Sequence, residues 1–515
     1  MMLRNLALKG KIEVSEPSKT LRALNFSTQI KKVLNLDCIS KPLKEAEYAV
    51  RGSIPARAEE LFLQLKNPQH RFPFQQVVRC NIGNPQELRQ KPLTFVRQVL
   101  ALVECPYLME EKNMAQTLKL FPKDAIKRAQ SYFENGMVSS GSYTISQGMT
   151  FIRGHVAQFI ERRDGFPSDP NKIFLTNGAS QAVTFVLQLL ISGLDVGIMI
   201  PTPQYPLYSA TLTLLNGVSC PYYLDEDDDW SISINELRRS IQQARQGGTN
   251  VRALVVINPG NPVGNCISVA RMEEIVDFCV AENLVLLADE VYQENTYNSA
   301  LPFASFKRVK ERMGGRHRDL ELFSFHSTSK GFFGECGKRG GYVELSGIDP
   351  EVEKQLLKLA SIGLCSSVAG QITTDLMVDP PAPGEESYEL FVQEKQSIID
   401  SLKRRARRLV EVFNSLEAVT CNPAQGALYT FPQVRLSKKA IAEAERRGMT
   451  PDAFYCLQLL ENTGVSTVPG SGFGQKEGTF HFRCTFLPQE EEFDCFTELV
   501  QNFHKRFMEE YSDNS

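Results

Sequence analysis

The sequence predicts an α/β fold with a mainly parallel sheet covered by helices on both faces, together with a second, smaller domain. Between about residues 110 and 370, short apolar runs alternate with stretches of helical pattern, as in successive strand–helix units. A proline-rich loop at 379–386 precedes a long helical pattern over 388–416. We therefore expect the second domain to begin near this loop.

Composition and charge favour a small-molecule ligand. The 515 residues exceed what one hydrophobic core usually serves, and 42% hydrophobic with 23% charged residues is ordinary globular usage. A net charge of −3 provides no bulk attraction to nucleic acid or anionic lipid. The apolar runs are also shorter than the roughly 20 residues that a membrane-spanning helix needs. We expect neither a nucleic-acid partner nor membrane insertion.

The cysteines and the N-terminus bear on the compartment. Twelve cysteines occur without any C-x-x-C pair, which favours reduced thiols over disulfides or zinc sites. No metal site is expected. The first 22 residues carry Arg4, Lys9, Lys11, Lys19 and Arg22 but no long apolar stretch. We expect a cytoplasmic protein, with the mitochondrial matrix as the alternative.

Five apolar runs predict the central strands, and the residues just after each run carry the functional prediction. The runs are 173–175, 196–200, 253–257, 284–288 and 322–325. In an open α/β sheet, ligands bind beyond the carboxyl ends of the strands. The five segments that follow these runs are therefore expected to share one site.

The segment after the first run has the features of a phosphate site. Gly178, Ala179 and Ser180 open a helical stretch, and the free N–H groups at a helix start bind anions well. The alternative is an ordinary turn in which Ser180 caps the helix.

The second and third runs are followed by stiff loops. In 201–208, prolines accompany Tyr205 and Tyr208, whose rings could face a flat heterocycle or simply pack. In 258–264, Asn261 precedes a proline, and its side chain could donate a hydrogen bond inward or only complete a turn.

The last two runs are followed by ionisable groups. Asp289 ends an apolar run, where a buried carboxylate is costly unless a cation meets it, and Tyr292 follows three residues later. Ser327, Lys330 and the glycine-flanked Arg339 suggest an amine nucleophile beside a phosphate anchor. A nucleotide P-loop is excluded, since Arg339 stands where that motif requires Ser or Thr.

Taken together, these motifs resemble the fold-type I aminotransferases of class I/II, and most closely their members that act on alanine. The resemblance spans about residues 45–510 and is carried by 48–52, 258–264, 324–330, 334–337 and 469–475. It implies pyridoxal 5'-phosphate (PLP) as cofactor and a large domain with a mainly parallel seven-stranded sheet beside a smaller α+β domain. It also implies reversible ping-pong transfer of the amino group from L-alanine to 2-oxoglutarate, giving pyruvate and L-glutamate.

The same resemblance suggests how the chain is divided. Residues 1–109 would form an N-terminal arm and part of the small domain, 110–375 the large PLP-binding domain, and 376–515 the C-terminal small domain.

Carried over residue by residue, the resemblance implies three catalytic side chains. Lys330 would bind the PLP aldehyde covalently and move a proton at the substrate's Cα. Asp289 would pair with the pyridine nitrogen and keep it protonated. Tyr292, together with Asn261, would hydrogen-bond the O3′ of the cofactor, and Tyr205 would stack on its ring.

The resemblance also implies the groups that hold the phosphate and the substrate. The phosphate would be bound by Ala179, Ser180, Ser327 and Arg339. The substrate's α-carboxylate would meet a bidentate fork from Arg483, with Gly83 and Asn84 closing over it and Asn261 beside it. Tyr143 would reach the PLP phosphate of a neighbouring subunit, which implies a homodimer.

Alternatives remain at this point. The same fold and cofactor support other aminotransferases and C–S lyases. A regulatory protein with this fold is a third possibility, against which the presence of Lys330, Asp289 and Arg483 argues. The chain also departs from the family at Lys338, where an aromatic or apolar residue is usual, and at Asn84, where an acid is usual.

Overall fold

The computed structural model describes residues 34–513; the basic N-terminal residues that raised the matrix alternative lie outside this range. Its α-helices are α1 Lys41–Glu45, α2 Ser53–Gln64, α3 Thr94–Glu104, α4 Glu111–Thr117, α5 Lys123–Glu134, α6 Thr150–Asp164, α7 Ala179–Leu190, α8 Leu207–Leu214, α9 Ile234–Gln246, α10 Val269–Glu282, α11 Phe306–Met313, α12 Pro350–Ile362, α13 Val368–Val378, α14 Tyr388–Asn414, α15 Lys438–Arg446, α16 Pro451–Thr463 and α17 Glu490–Glu510. Short 3-10 helices cover Ala49–Arg51, Pro106–Met109, Pro170–Lys172, Glu226–Asp228, Gly315–Asp319, Cys336–Lys338 and Gly470–Phe473. Within residues 34–513, no helix combines the length and apolar character needed to cross a membrane.

The strands form one large sheet and three small ones. They are β1 Val78–Arg79, β2 Ile173–Leu175, β3 Val196–Thr202, β4 Val218–Asp225, β5 Ser231–Ile232, β6 Asn250–Ile257, β7 Val285–Asp289, β8 Leu322–Ser327, β9 Gly341–Ser346, β10 Val419–Thr420, β11 Tyr429–Thr430, β12 Gln433–Val434, β13 Val465–Ser466, β14 Val468–Pro469 and β15 Phe482–Thr485. Four of the five apolar runs lie wholly in strands, and the fifth, 284–288, begins one residue before β7. The long helical pattern predicted over 388–416 is α14, which ends at Asn414.

The large sheet is mainly parallel, as predicted, and has the order β2-β9-β8-β7-β6-β3-β4-β5. The four pairs from β4 through β3, β6 and β7 to β8 are parallel, and β9 runs antiparallel to both of its neighbours. Seven strands match the expected number. The eighth, β5, is a two-residue edge strand antiparallel to β4, formed where the 3-10 turn Glu226–Asp228 reverses the chain.

Helices cover both faces of this sheet. Along β6, Ala253, Val255 and Ile257 pack against α7, α8 and α12 on one face. Leu254 and Val256 pack against α9, α10 and α11 on the other. Because both faces are buried, the strand reads as a continuous apolar run rather than an alternating one.

A second α+β unit joins the two ends of the described chain. Its core brings together α2, α14, α16 and α17. Strand β1 pairs in parallel with β13, so that Val78 lies opposite Val465, and β15 lies between β11 and β14.

A separate helical cluster lies beside the large sheet, where helix α3 packs with α5, α6 and α13 under β2. The domain boundaries stay a prediction.

Candidate active site

Asp289, the last residue of β7, is a buried carboxylate with one free oxygen. The Tyr208 hydroxyl donates to Oδ2 at 2.8 Å, whereas Oδ1 is buried and has no hydrogen-bond partner within residues 34–513. Burial raises the pKa of Asp289 to about 6. The free oxygen is therefore suited to a ligand that brings a positive charge or an N–H donor.

Lys330 lies in the turn just after β8, and its amine reaches the second unit. Its Nζ donates to the carbonyl of Gly83 at 2.7 Å. A Cβ added at Gly83 would lie 3.0 Å from Nζ and 2.2 Å from the Tyr429 hydroxyl. Only glycine leaves room for both groups.

The chain turns sharply just after strand β1. The strand is Val78–Arg79, and the N–H of Cys80 donates back to the carbonyl of Val78 at 3.0 Å, which turns the chain. This turn brings the backbone of Gly83 to Lys330.

Arg483, in β15, is a buried cation with no acidic partner among the described side chains. It is 1% exposed, and its guanidinium donates to Asn261 Oδ1 at 2.9 Å and to the carbonyl of Asn81. Its Cζ lies 4.2 Å from the centre of the Tyr429 ring and 4.7 Å from that of Phe473. Nε has no partner within residues 34–513. A fixed arginine held only by neutral groups is suited to an incoming carboxylate.

The predicted phosphate-binding residues meet at the start of α7. Arg339 Nη2 donates to the carbonyl of Asn177 at 2.8 Å and to Ser180 Oγ at 3.1 Å. The residue that caps α7 is Gly178, which has no side chain with which to bond the N–H groups of the helix start. The alternative in which Ser180 is the cap is therefore wrong, because α7 begins at Ala179 and Ser180 is its second residue.

Ser327 and the predicted ring-binding residues complete this part of the site. Ser327 Oγ donates to the carbonyl of Gly340 at 3.3 Å, beside Arg339. The hydroxyl of Tyr292 donates to that of Tyr429 at 3.3 Å. Tyr205 shares a 2.7 Å hydrogen bond with Tyr48. Burial raises the pKa of both Tyr205 and Tyr292 well above its usual value, so these phenols are neutral donors.

Within one chain, the side chains of two predicted site residues, Tyr143 and Asn84, do not reach the other site residues. Tyr143 is 78% exposed. Asn84 directs its side-chain amide to Glu87 Oε2 at 2.8 Å, although its neighbour Gly83 does lie at Lys330. The Glu87 carboxylate that holds this amide also binds Arg79, through Oε1 at 2.7 Å.

Sequence reasoning missed three groups at the site, the side chains of Tyr208 and Tyr429 and the backbone carbonyl of Asn81. Tyr208 was noticed only as an aromatic, and its bond to Asp289 depends on how α8 packs over β7. Tyr429 and Asn81 were not singled out at all. Each of the three acts on a residue at least 80 positions away, and no local pattern in the sequence signals such a contact.

Comparison with known proteins identifies the family. A profile described as aminotransferase class I and II matches residues 112–496. The chain belongs to the class I and II aminotransferases. It is 52% identical over 486 residues to a probable mitochondrial alanine aminotransferase of Dictyostelium discoideum, covering 93% of this chain and 90% of the relative.

Other relatives of this aminotransferase carry two kinds of name. Glutamate–glyoxylate aminotransferase 2 of Arabidopsis thaliana is 49% identical over 94% of this chain and 98% of its own length. Alanine aminotransferase 2 of Xenopus laevis is 46% identical over 97% of this chain and 92% of its own. An alanine aminotransferase structure from Pyrococcus furiosus has a TM-score of 0.71 at 23% identity, covering 91% of this chain and all of that one, and supports the fold.

Aminotransferases of this class use PLP, and the residues present fit it. The free Oδ1 of Asp289 can accept from a protonated ring nitrogen. The uncapped start of α7, with Arg339 and Ser180 beside it, can receive a phosphate dianion. Gly178 is required there, since a Cβ on it would lie 2.6 Å from Arg339 Nη2. Lys330 lies at the end of the neighbouring strand, where an amine can meet the aldehyde.

Proposed function

We propose that this aminotransferase transfers the amino group of L-alanine to 2-oxoglutarate, giving pyruvate and L-glutamate. One observation supports transamination of an amino acid: the buried guanidinium of Arg483 pairs with no acid of residues 34–513, so it can bind a substrate carboxylate. Tyr429, which lies against this guanidinium, also lies near the Lys330 amine. The choice of alanine rests on the relatives, since those from Dictyostelium and Xenopus are named for it.

We propose the following roles at the reacting centre. Bound PLP supplies an electron-withdrawing ring for the substrate's Cα. Arg483 binds the α-carboxylate as a fork, and Asn261 keeps that fork in place through its 2.9 Å bond. Lys330 would take the proton from Cα and deliver it to the cofactor's C4′, and the carbonyl of Gly83 orients its amine.

The remaining predicted residues would bind the cofactor. Asp289 keeps the ring nitrogen protonated, and Tyr208 holds that carboxylate in place. Tyr292 and Asn261 hydrogen-bond O3′, and Tyr205 covers the ring. The phosphate is held by Arg339, Ser180, Ser327 and the backbone at Ala179.

Product analysis tests this function. Purified protein is incubated with PLP and L-alanine, and pyruvate is measured with and without 2-oxoglutarate. Transfer predicts that sustained pyruvate formation requires 2-oxoglutarate and is matched by glutamate. Pyruvate released steadily without an acceptor would instead indicate lysis, and no pyruvate under either condition would contradict the proposal.

Glutamate–glyoxylate transfer is the second candidate, because two Arabidopsis relatives of that name are 49% and 48% identical to this chain. The kcat/KM values of the alanine–2-oxoglutarate and glutamate–glyoxylate pairs, measured on one preparation, decide between them. Alanine transfer predicts the larger value for the first pair.

We also propose a homodimer in which Tyr143 reaches the phosphate of the partner's cofactor. Its 78% exposure leaves the phenol free for such a contact. Chains carrying Tyr143→Phe are mixed with chains carrying Lys330→Ala, so that both lesions fall in one site of a mixed dimer. About half of wild-type activity per mixed dimer is expected. Fully active monomers in sedimentation would contradict the dimer.

The mitochondrial matrix is the compartment that the relatives favour. One relative from Dictyostelium and two from Arabidopsis carry "mitochondrial" in their names. These names support the mitochondrial matrix over the cytoplasm. Import of the full chain into isolated mitochondria, followed by protease protection, tests it. A chain that stays protease-sensitive would point back to the cytoplasm.

A further inference from the structure

Tyr429 lies between Lys330 and Arg483, the two basic side chains that the proposed reaction needs. It begins β11, which pairs antiparallel with β15 so that Tyr429 lies opposite Thr485. Arg483 is two residues along β15 from that position and therefore on the same face. The Arg483 guanidinium accordingly lies over the Tyr429 ring, with Cζ 4.2 Å from its centre.

The hydroxyl of Tyr429 points toward Lys330. A Cβ placed on Gly83 would contact both the Tyr429 hydroxyl and Lys330 Nζ, at 2.2 and 3.0 Å. Both atoms therefore lie on the same side of Gly83. The hydroxyl also accepts a 3.3 Å hydrogen bond from Tyr292, whose ring meets the Tyr429 ring edge-on at 84°.

The electrostatics of this position are unusual for a buried phenol. Burial of Tyr429 opposes its ionisation, but the positive charges of Lys330 and Arg483 outweigh burial and lower its pKa from the ordinary 10. The neighbouring Tyr292 has the opposite shift, because burial and the Tyr429 oxygen both raise its pKa. Without cofactor, Tyr292 is the donor of this pair and Tyr429 the acceptor, and Tyr292 would donate its proton instead to O3′ of bound PLP.

We propose that Tyr429 is a positioning residue for both Arg483 and Lys330. Its ring holds the Arg483 guanidinium against the substrate's α-carboxylate, and its oxygen accepts a hydrogen bond from the Lys330 amine beside the substrate's Cα. This proposal rests on the proposed transamination. When Lys330 takes the proton from Cα, it becomes an ammonium with three donors. The Gly83 carbonyl accepts one of them, and the Tyr429 oxygen accepts a second.

The substitution Tyr429→Phe separates the hydroxyl from the ring. It should slow proton removal from L-alanine about 10- to 100-fold, the usual effect of losing one hydrogen bond to a charged group. Binding of 2-methylalanine should change less than about threefold, because this amino acid has the α-carboxylate but no hydrogen on Cα, and the Phe ring still supports Arg483. Single-turnover rates and titrations of the bound cofactor's absorbance measure the two effects. The isotope effect with alanine deuterated at Cα should rise.

Two further variants make the test specific. Tyr429→Leu also removes the ring, so 2-methylalanine should bind about 10-fold or more weakly. Tyr222→Phe is the matched control, since the Tyr222 hydroxyl is equally buried but donates to the carbonyl of Val255 inside the large sheet. It should leave both the rate and the binding unchanged. An alanine rate in Tyr429→Phe equal to that of Tyr222→Phe would overturn the proposal, even if Tyr429→Leu failed to fold.

The design separates this proposal from the proposed function. If wild-type protein does not react with alanine but does react with another amino acid, the choice of alanine fails, and the same comparison is made with that amino acid. If wild type reacts with alanine and Tyr429→Phe is unaffected, only the role of Tyr429 fails.

Discussion

Gly178 is predicted to keep Arg339 in place for the cofactor phosphate. Its φ is +74°, and a methyl group there would lie 2.6 Å from Arg339 Nη2, against roughly 3.5 Å for a normal contact. In Gly178→Ala the guanidinium must therefore move by about 1 Å. That shift breaks its bonds to the carbonyl of Asn177 and to Ser180 Oγ.

Gly248→Ala is the matched control. Gly248 also has a positive φ, +82°, but no atom lies within 4 Å of a Cβ placed there. Gly178→Ala should lose about 1 to 3 kcal/mol of stability from backbone strain, because ψ at Gly178 is 166° and that region is almost exclusive to glycine, and Gly248→Ala should lose about 1 to 2 kcal/mol. The contact between the new methyl group and Arg339 adds little to the loss of stability in Gly178→Ala, because the arginine side chain is flexible and its guanidinium can move away.

Cofactor affinity should distinguish the two variants. Losing one charged hydrogen bond to the phosphate costs about 1.5 to 3 kcal/mol, which corresponds to a Kd for PLP raised roughly 10- to 150-fold. Gly248→Ala should bind PLP like wild type. Titration of cofactor-free protein, followed by the absorbance of bound PLP, measures Kd, and urea unfolding measures stability. If both variants bound PLP equally well, Arg339 would not be the phosphate anchor.

Three other changes test the rest of the site. Lys330→Ala should abolish turnover, and mass spectrometry after borohydride reduction should find cofactor attached to wild type only; a variant that cycles at wild-type speed would contradict the assignment. Arg483→Gln should weaken alanine and 2-oxoglutarate alike, by about 2 to 5 kcal/mol, whereas a KM defect confined to 2-oxoglutarate would mean that Arg483 binds the distal carboxylate. In cofactor-free protein, burial raises the pKa of Asp289 from 3.8 to about 6, so the folded chain binds this proton more tightly than the unfolded chain. Its contribution to stability should then fall by about 3 kcal/mol as the pH rises from about 4 to 6 and beyond. The free energy of unfolding of Asp289→Asn, measured in urea, should not show this loss. If it changed with pH in the same way as that of wild type, the pKa of Asp289 would not be raised in the folded chain.

The main sheet and half of the site could be predicted from local properties of the chain. Strand β6 lies between two helical layers, so both of its faces are apolar, and such a run is visible without any knowledge of its neighbours. Asp289 and Lys330 were predicted because each follows such a run, and parallel strands place their carboxyl ends at one edge. The pairing of Ile257 with Asp289 and of Asp289 with Phe325 confirms that these ends coincide.

Other features depended on the packing of distant segments. The two-residue strand β5 is too short for any periodicity, and it exists only because β4 offers an edge. The side chain of Asn84 turns to Glu87, although its backbone neighbour Gly83 meets Lys330.

The sequence alone determined which residue types stand at the ends of the strands, and hence the family and the chemistry. Tertiary structure alone decided which of them touch. Tyr429 and Arg483 become neighbours through the pairing of β11 with β15, and Tyr429 meets Gly83 and Lys330 only because the second unit packs against the large sheet. Local patterns reflect the burial of one segment, whereas such contacts depend on the relative placement of segments that lie far apart in the sequence, 247 positions for Gly83 and Lys330.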